Sequence, residues 1–170
     1  PRYYRGMNLS SASRSLDIAG NYQRDGYLVV RGLFSPKECE ELKAEALRVL
    51  REKAKPSASV YVGVSVASPM YYRLASDNRL VSILDKIMPD GVMFMSDKFV
   101  LKSGTLTFPT PWHYDAAYWP KTRPKLSVWI PLDDATKDNG TLKVVRGSHK
   151  QDFSHEAVDV TKTGNEFGRL

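Results

Sequence analysis

The hydrophobic pattern of this 170-residue chain changes from helix-like to strand-like near residue 92, and this change restricts the fold class. Before it, apolar residues recur at helical spacing in two segments. After it, Gly, Pro, Asp and Asn separate four β-favouring runs: VMFMSDKFVLK, HYDAAYW, LSVWIPL and TLKVV. Helices followed by many short strands predict an α+β domain whose strands form a sandwich or jelly roll.

The first helical segment carries clear signals at its start. Ser35 is a suitable N-cap, Pro36 suits the first helical position, and Glu38 completes a capping box. The apolar positions that follow share one helical face: Cys39, Leu42, Ala46, Val49 and Leu50. We therefore predict an amphipathic helix ending near Lys53, and a second helix from Arg79 to Met88, before the sequence Pro-Asp-Gly.

The sequence predicts one domain preceded by a short arm. Residues 1–24 are rich in Ser, Arg and Tyr and lack sustained periodicity, so we expect an N-terminal arm there. Residues 25–170 are expected to form the domain, whose first element is a short strand over Tyr27–Val30.

Charge and cysteine content exclude several classes of protein. The net charge is +6, but the 25 basic residues are interspersed with 19 acidic ones, which argues against a nucleic-acid partner. No apolar stretch approaches the roughly 20 residues that span a bilayer, so no membrane partner is expected. The single cysteine, Cys39, excludes an intramolecular disulfide and a CxxC metal site, and favours a reducing, cytoplasmic location.

The sequence His113-Tyr114-Asp115 is the candidate metal-binding motif. Residues two apart on a strand point to the same face, so the His113 imidazole and the Asp115 carboxylate can converge on one ion. They would be two members of a 2-His-1-carboxylate facial triad, which holds ferrous iron and leaves three coordination positions open. Taken alone, such a pair is more often a hydrogen-bonded surface pair.

A longer motif provides the context for this pair. The segment DNGTLKVVRGSHK, at residues 138–150, resembles the N-G-x-L-x-V-x-x-G-S-H-K signature of the phytanoyl-CoA dioxygenase family. It follows WIPLDDAT, which resembles that family's preceding strand and turn, and WHYDAAYW lies upstream in the expected order. The resemblance runs from about Gly26 to Lys150. It implies a double-stranded β-helix of the jelly-roll, cupin-like type, flanked by N-terminal helices.

The resemblance also implies a chemistry. His113 and Asp115 would be catalytic iron ligands in an Fe(II)/2-oxoglutarate-dependent dioxygenase. Such an enzyme uses O2 to hydroxylate a C–H bond of a small organic substrate, while 2-oxoglutarate becomes succinate and CO2. Halogenating relatives have a small residue at the position of Asp115, so the carboxylate favours oxygen transfer.

Five further residues receive expected roles from the resemblance. Ser127 and Trp129, two apart on the next predicted strand, would contact 2-oxoglutarate, with an ordinary half-buried strand face as the alternative. Lys102 would lie near the same cosubstrate, with a solvated strand end as the alternative. Tyr118 and Trp119 follow the metal pair directly and would lie near the substrate pocket.

The third iron ligand has no clear candidate in this sequence. The family's distal histidine and its 2-oxoglutarate-binding arginine lie several tens of residues beyond G-S-H-K, so we expect a fold and a triad that are incomplete at the C-terminus. His149 belongs to a loop-shaping position of that motif, and His155 lies too early for the distal ligand. A fragment of a longer enzyme, a catalytically silent relative and completion by a partner chain all remain open.

Three other functions remain as alternatives. The first is a catalytically inactive or fragmentary jelly-roll binding module of the same family, since a fold does not determine function. The second is a cupin-like metal hydrolase or isomerase that uses the same two ligands, and the third is a purely structural jelly roll. An unpaired sheet edge would also favour self-association.

Overall fold

The computed structural model describes residues 17–54, 58–104, 110, 112–113, 115 and 124–151. Within these ranges the chain forms five α-helices, a two-stranded sheet and a final 3-10 turn. The helices are α1 (Ile18–Asp25), α2 (Pro36–Lys53), α3 (Val64–Ala67), α4 (Pro69–Leu74) and α5 (Asn78–Ile87). The strands are β1 (Val60–Val62) and β2 (Lys98–Val100), and the turn is Ser148–Lys150. In this described part, no helix combines the length and apolar character that a membrane crossing requires.

Helix α2 has the boundaries and the cap that its sequence predicts. Ser35 Oγ accepts a hydrogen bond from the Glu38 backbone N–H at 3.2 Å. The Glu38 carboxylate in turn accepts one from the Ser35 backbone N–H at 2.7 Å. This capping box satisfies backbone donors that lack a partner within the helix, and Pro36 fits at the first position because it has no N–H to satisfy. Helix α5 confirms the second predicted helix.

The core lies between the apolar face of α2 and the short helices α3 and α4. Its buried side chains are Leu42, Ala46, Val49 and Leu50 from α2 and Val64 from α3. Polar contacts support the same interface. The Ser68 hydroxyl, fully buried, donates to Glu45 Oε1 at 2.5 Å, and the Tyr71 hydroxyl donates to the Leu42 carbonyl at 2.9 Å.

The sheet joins this helical layer to the segment that leads to the candidate site. Strands β1 and β2 are antiparallel, with Tyr61 opposite Phe99. Two backbone bonds extend the pairing beyond the strands, from Gly63 to Asp97 at 2.9 Å and from Leu101 to Ser59 at 2.7 Å. The Asp97 carboxylate also accepts hydrogen bonds from the Ser65 N–H and hydroxyl, and so binds the strand to the start of α3.

Much of the predicted strand structure is not present in the described residues. Of VMFMSDKFVLK, only Lys98–Val100 is a strand, and Tyr27–Val30, residues 124–130 and residues 141–145 are irregular. HYDAAYW falls mostly outside the described residues. An alternation of apolar and polar residues indicates which side chains would share a face of a strand. It does not indicate which other segment would provide the backbone hydrogen bonds that a strand requires. The α+β class is confirmed, whereas the described residues form no double-stranded β-helix.

Helix α1 is the second departure from the prediction, because it occupies residues expected to form part of an irregular arm. The Asp17 side chain accepts a hydrogen bond from Gly20 N at 2.8 Å, which makes Asp17 the N-cap. Gly26 ends the helix in the left-handed conformation, at φ 80°. Asp17 and Gly26 were readable start and stop signals, although the segment between them has a weak apolar stripe. Residues 1–16 of the predicted arm lie outside the described part.

The core predicts that the same substitution, Val to Ala, changes the free energy of unfolding much more at a buried position than at an exposed one. Val49→Ala removes two methyl groups from a side chain that is 1% exposed. It should lower the free energy of unfolding by about 2–3 kcal/mol, because it combines lost burial with a cavity. Val66→Ala is the control, since Val66 is 92% exposed, and it should change stability by less than about 0.5 kcal/mol. Urea denaturation measures both; equal effects would contradict this core.

The Glu45 carboxylate predicts a pH-dependent contribution to stability. The Arg48 guanidinium, at 2.8 Å from each carboxylate oxygen, and the Ser68 hydroxyl lower the pKa of Glu45 to about 2. Since the folded-state pKa lies below the unfolded value of about 4.3, ionised Glu45 stabilises the fold above that value. This contribution is lost as the pH falls towards about 2.

Glu45→Gln should therefore destabilise the protein near neutral pH, and the difference from wild type should shrink as the pH is lowered to about 3. Other carboxylates titrate in both proteins, so their effects cancel in this comparison. Urea midpoints of the two proteins, measured at a series of pH values, test the prediction. A difference that stayed constant with pH would contradict it.

Candidate functional site

The structure brings His113 and Asp115 close together, although neither lies on the strand that the sequence predicts. His113 Nε2 lies 3.4 Å from Asp115 Oδ1, and the two side chains are 31% and 44% exposed. A separation of 3.4 Å is longer than the roughly 2.7–3.2 Å of an N–H···O hydrogen bond. The pair therefore presents a nitrogen and an oxygen that face each other across a small gap.

Ser127 joins this pair from 12 residues further along the chain. Its hydroxyl donates a hydrogen bond of 2.7 Å to Asp115 Oδ2. The two carboxylate oxygens thus have different neighbours, because Oδ1 faces His113 while Oδ2 binds Ser127. Sequence reasoning had placed Ser127 on a strand face, yet the structure places it in an irregular segment with its hydroxyl on the carboxylate.

The geometry of the two donor atoms fits one divalent metal ion. Ligands about 2.1 Å from an ion and about 90–110° apart are roughly 3.0–3.4 Å from each other. An imidazole nitrogen and a carboxylate oxygen are also two of the three donors in the ferrous facial triad. Within the described ranges, no third His, Cys, Asp or Glu side chain completes a metal-binding cluster. His113 and Asp115 could therefore hold two of the coordination positions.

Lys102 lies beside the turn formed by the signature residues Asn139 and Gly140. A Cβ atom on Gly140 would be 2.9 Å from Lys102 Cδ and 3.5 Å from Lys102 Nζ. The turn needs both signature residues, since the Asn139 side chain accepts from Thr136 N at 2.8 Å and Gly140 has a φ of 89°. The Lys102 side chain thus packs against the signature turn at Gly140. Its expected contact with 2-oxoglutarate stays a prediction.

The other expected site residues are less constrained by the structure. Trp129 is 51% exposed, which leaves its ring accessible beside the Ser127 segment. Tyr118 and Trp119 lie outside the described residues, so their expected place near a substrate pocket stays a prediction.

The G-S-H-K part of the signature binds the end of α1. Gly147 N donates to the Asp25 carbonyl at 2.8 Å, and Arg146 Nε donates to Asp25 Oδ1 at 2.6 Å. His149 Nε2 lies 3.0 Å from the Gln23 carbonyl oxygen and donates to it in the Nε2-protonated tautomer. We call these residues, Gln23, Asp25, Arg146, Gly147 and His149, the α1 clasp.

Charge reinforces the α1 clasp. The Arg24 guanidinium and that of Arg146 hold the pKa of the Asp25 carboxyl well below its usual range, so Asp25 stays ionised and paired. His149 is packed in this clasp, in agreement with the expectation that it shapes a loop. The sequence did not predict the contact between His149 and α1. The signals it offered were Gly26, which ends α1, and Gly147, which precedes the 3-10 turn.

Comparison with known proteins adds the family context. The family model described as Phytanoyl-CoA dioxygenase (PhyH) matches residues 22–168. The chain is 32% identical to "Ectoine dioxygenase" of Bordetella bronchiseptica, over 82% of this chain and 51% of the relative. It is 25% identical to "Phytanoyl-CoA dioxygenase, peroxisomal" of Rattus norvegicus, over 80% of this chain and 48% of the relative.

A further relative has a different printed activity. The chain is 25% identical to "L-proline trans-4-hydroxylase" of Streptomyces griseoviridis, over 82% of this chain and 57% of the relative. The chain spans about half the length of the curated relatives it matches. No solved structure gives a significant match.

The α1 clasp predicts that two glycines with similar backbones respond differently to alanine. Gly26 and Gly32 have φ values of 80° and 68°, so either substitution costs about 1–2 kcal/mol of backbone strain. At Gly26 the new methyl group would also overlap the His149 imidazole, whereas nothing lies within 4 Å at Gly32. Gly26→Ala should therefore destabilise the protein by at least about 1 kcal/mol more than Gly32→Ala, as measured by urea denaturation.

A third variant separates the steric effect from the strain. Adding His149→Ala to Gly26→Ala removes the ring that the methyl group would strike. The double variant should therefore lose less stability than the two single effects added together. Strict additivity, or equal effects at Gly26 and Gly32, would contradict the packing of His149 on α1.

Proposed function

Because the chain belongs to the phytanoyl-CoA dioxygenase family, we propose that it acts as a non-haem Fe(II)/2-oxoglutarate-dependent dioxygenase. Its reaction would hydroxylate a C–H bond of a small organic substrate. The observation that carries this proposal is the facing pair of His113 Nε2 and Asp115 Oδ1, within the part of the chain that matches the family. Relatives named as dioxygenases and a hydroxylase support the same class of reaction.

In this proposal His113 and Asp115 hold the metal. The imidazole binds through its neutral nitrogen, and the carboxylate contributes one negative charge that offsets part of the ion's charge. Bound ferrous iron supplies the redox chemistry, in which 2-oxoglutarate and O2 yield succinate, CO2 and a hydroxylated substrate. The chain's contribution is to orient the ligands and to place the cosubstrate and substrate.

The cosubstrate is proposed to bind beside Lys102 and Trp129. The lysine ammonium complements a dicarboxylate, and an exposed indole offers an apolar wall with one N–H donor. Lys102 contacts the signature turn at Gly140. Trp129 begins the segment WIPLDDAT, which precedes the signature in the sequence. Tyr118 and Trp119 are proposed to line the substrate pocket next to the metal pair.

The proposal extends to the architecture. The family has a cupin-like fold, and we propose that this chain forms part of a double-stranded β-helix. Exposed apolar side chains in the predicted strand segments support this, because such residues are usually covered by a neighbouring sheet or strand. The most exposed of them in this region is Met93, at 89%, and Leu142 is 55% exposed.

A catalytically inactive binding module of the same family is the second candidate. The described residues supply two candidate metal ligands, and no third His, Cys, Asp or Glu among them completes a cluster. A chain that bound 2-oxoglutarate without producing succinate would support this second candidate. Succinate formation coupled to O2 consumption would support the dioxygenase.

Metal titration of the purified chain tests the proposed site. Under anaerobic conditions, ferrous iron and 2-oxoglutarate should produce the weak visible charge-transfer band of the chelated cosubstrate. His113→Ala and Asp115→Ala should each abolish the band, because each removes one of the two facing ligands. A band that persisted in both variants would place the metal elsewhere and contradict the proposal.

His149→Ala is the matched control for the loss of an imidazole. His149 contacts the Gln23 carbonyl in the α1 clasp, so this variant should lose stability yet keep the band. Circular dichroism verifies that each variant is folded before the titration. Loss of the band in folded His149→Ala would mean that His149 contributes to the metal site, which contradicts its assigned role.

A further inference from the structure

The hydroxyl of Ser127 has one proton, and it donates that proton in a hydrogen bond to Asp115 Oδ2. The Oγ to Oδ2 distance is 2.7 Å, which is typical of an O–H···O bond to a carboxylate. A serine hydroxyl donates once, although it can accept further bonds. As long as this bond is made, Ser127 has no proton for a second carboxylate.

This restriction bears on the cosubstrate. The carboxylates of 2-oxoglutarate are ionised near neutral pH and only accept hydrogen bonds, so a contact with Ser127 would require its donated proton. The Asp115 bond and a 2-oxoglutarate contact therefore compete for one proton. The observed geometry favours Asp115.

The bond also restricts the orientation of the carboxylate. The terminal torsion of an aspartate is broad and roughly two-fold, and the Asp115 side chain is 44% exposed, so burial alone does not fix its rotation. A donor on Oδ2 selects the rotation in which Oδ1 faces His113. Hydrogen bonds to ligating carboxylates commonly orient them in this way and raise metal affinity.

We propose that Ser127 is a positioning residue that orients Asp115 as a one-oxygen metal ligand, and that it is not a cosubstrate contact. This inference rests on the proposed function, because it takes Asp115 as a ligand. It assigns the cosubstrate contacts of this segment to Trp129, two residues further on.

Metal affinity in the absence of 2-oxoglutarate is the decisive measurement. Binding of Co²⁺, followed by its visible absorption, reports on the ligands without needing turnover. Ser127→Ala should weaken Co²⁺ binding by about 10–100-fold, the usual effect of removing a group that orients a ligand. Ser127→Thr, which keeps the hydroxyl, should restore affinity to within about 3-fold of wild type.

Ser82→Ala is the matched control. The Ser82 hydroxyl also donates a short hydrogen bond, of 2.6 Å, but to the Asn78 carbonyl in α5. Its removal should leave Co²⁺ affinity unchanged. A similar loss in Ser82→Ala would mean that metal binding responds to general destabilisation, and would overturn the specific role of Ser127.

Titration of the metal-loaded protein with 2-oxoglutarate tests the competing role. Under saturating metal, Ser127→Ala should bind 2-oxoglutarate with nearly wild-type affinity. If Ser127→Ala kept its Co²⁺ affinity and lost 2-oxoglutarate affinity, Ser127 would be a cosubstrate contact and the inference would be wrong.

Asp115→Ala separates this inference from the proposed function. If Asp115→Ala leaves Co²⁺ binding unchanged, the proposed metal site itself fails. If Asp115→Ala weakens Co²⁺ binding but Ser127→Ala does not, only the role of Ser127 fails. When both are correct, adding Ser127→Ala to Asp115→Ala should cause no further loss, because the hydroxyl acts through the carboxylate.

Discussion

The apolar face of α2 is the constraint on which the rest of the described structure depends. Four of the five buried apolar side chains in the described part belong to this helix, and the fifth, Val64, comes from α3. Segments beyond residue 100 attach to helices α2 and α1 through polar contacts. Lys43 on α2 binds Asp133 at 2.8 Å, and Arg146 binds Asp25 at 2.6 Å. Because exposed ion pairs stabilise little and are screened by salt, the helical layer should be more robust than the segments carrying the candidate site.

Local signals in the sequence predicted helices α2 and α5, whereas α1 was missed although Asp17 and Gly26 are local start and stop signals. Ser35, Pro36 and Glu38 determine the start of α2 through contacts within four residues, so they could be read without knowing the fold. The proximity of His113 and Asp115 is equally local, since only one residue separates them, and their role as metal ligands stays a prediction. The strand boundaries were not predictable in this way. Pairing between β1 and β2 joins residues about 40 positions apart, so it depends on contacts that neither segment's own sequence specifies.

The candidate site shows the same division between local and distant causes. The strand periodicity assigned Ser127 to a face of a sheet, but a periodicity cannot name the carboxylate that its hydroxyl contacts. The α1 clasp was missed because it joins residues more than 120 positions apart, as in the bond from Arg146 to Asp25. Within the family signature, the Asn139 side chain binds a backbone N–H and Gly140 and Gly147 adopt positive φ, so three signature residues shape turns.

A free carboxylate has two equivalent oxygens, and the contact with Ser127 removes that equivalence at Asp115. One oxygen accepts from Ser127 and the other faces His113, so the two oxygens have different surroundings, although a half-turn of the carboxylate merely exchanges them. The candidate site therefore offers one carboxylate oxygen to an incoming ion and keeps the other bound to the protein. An ion held there would bind one oxygen of Asp115 rather than both, and one more of its coordination positions would stay available to other ligands.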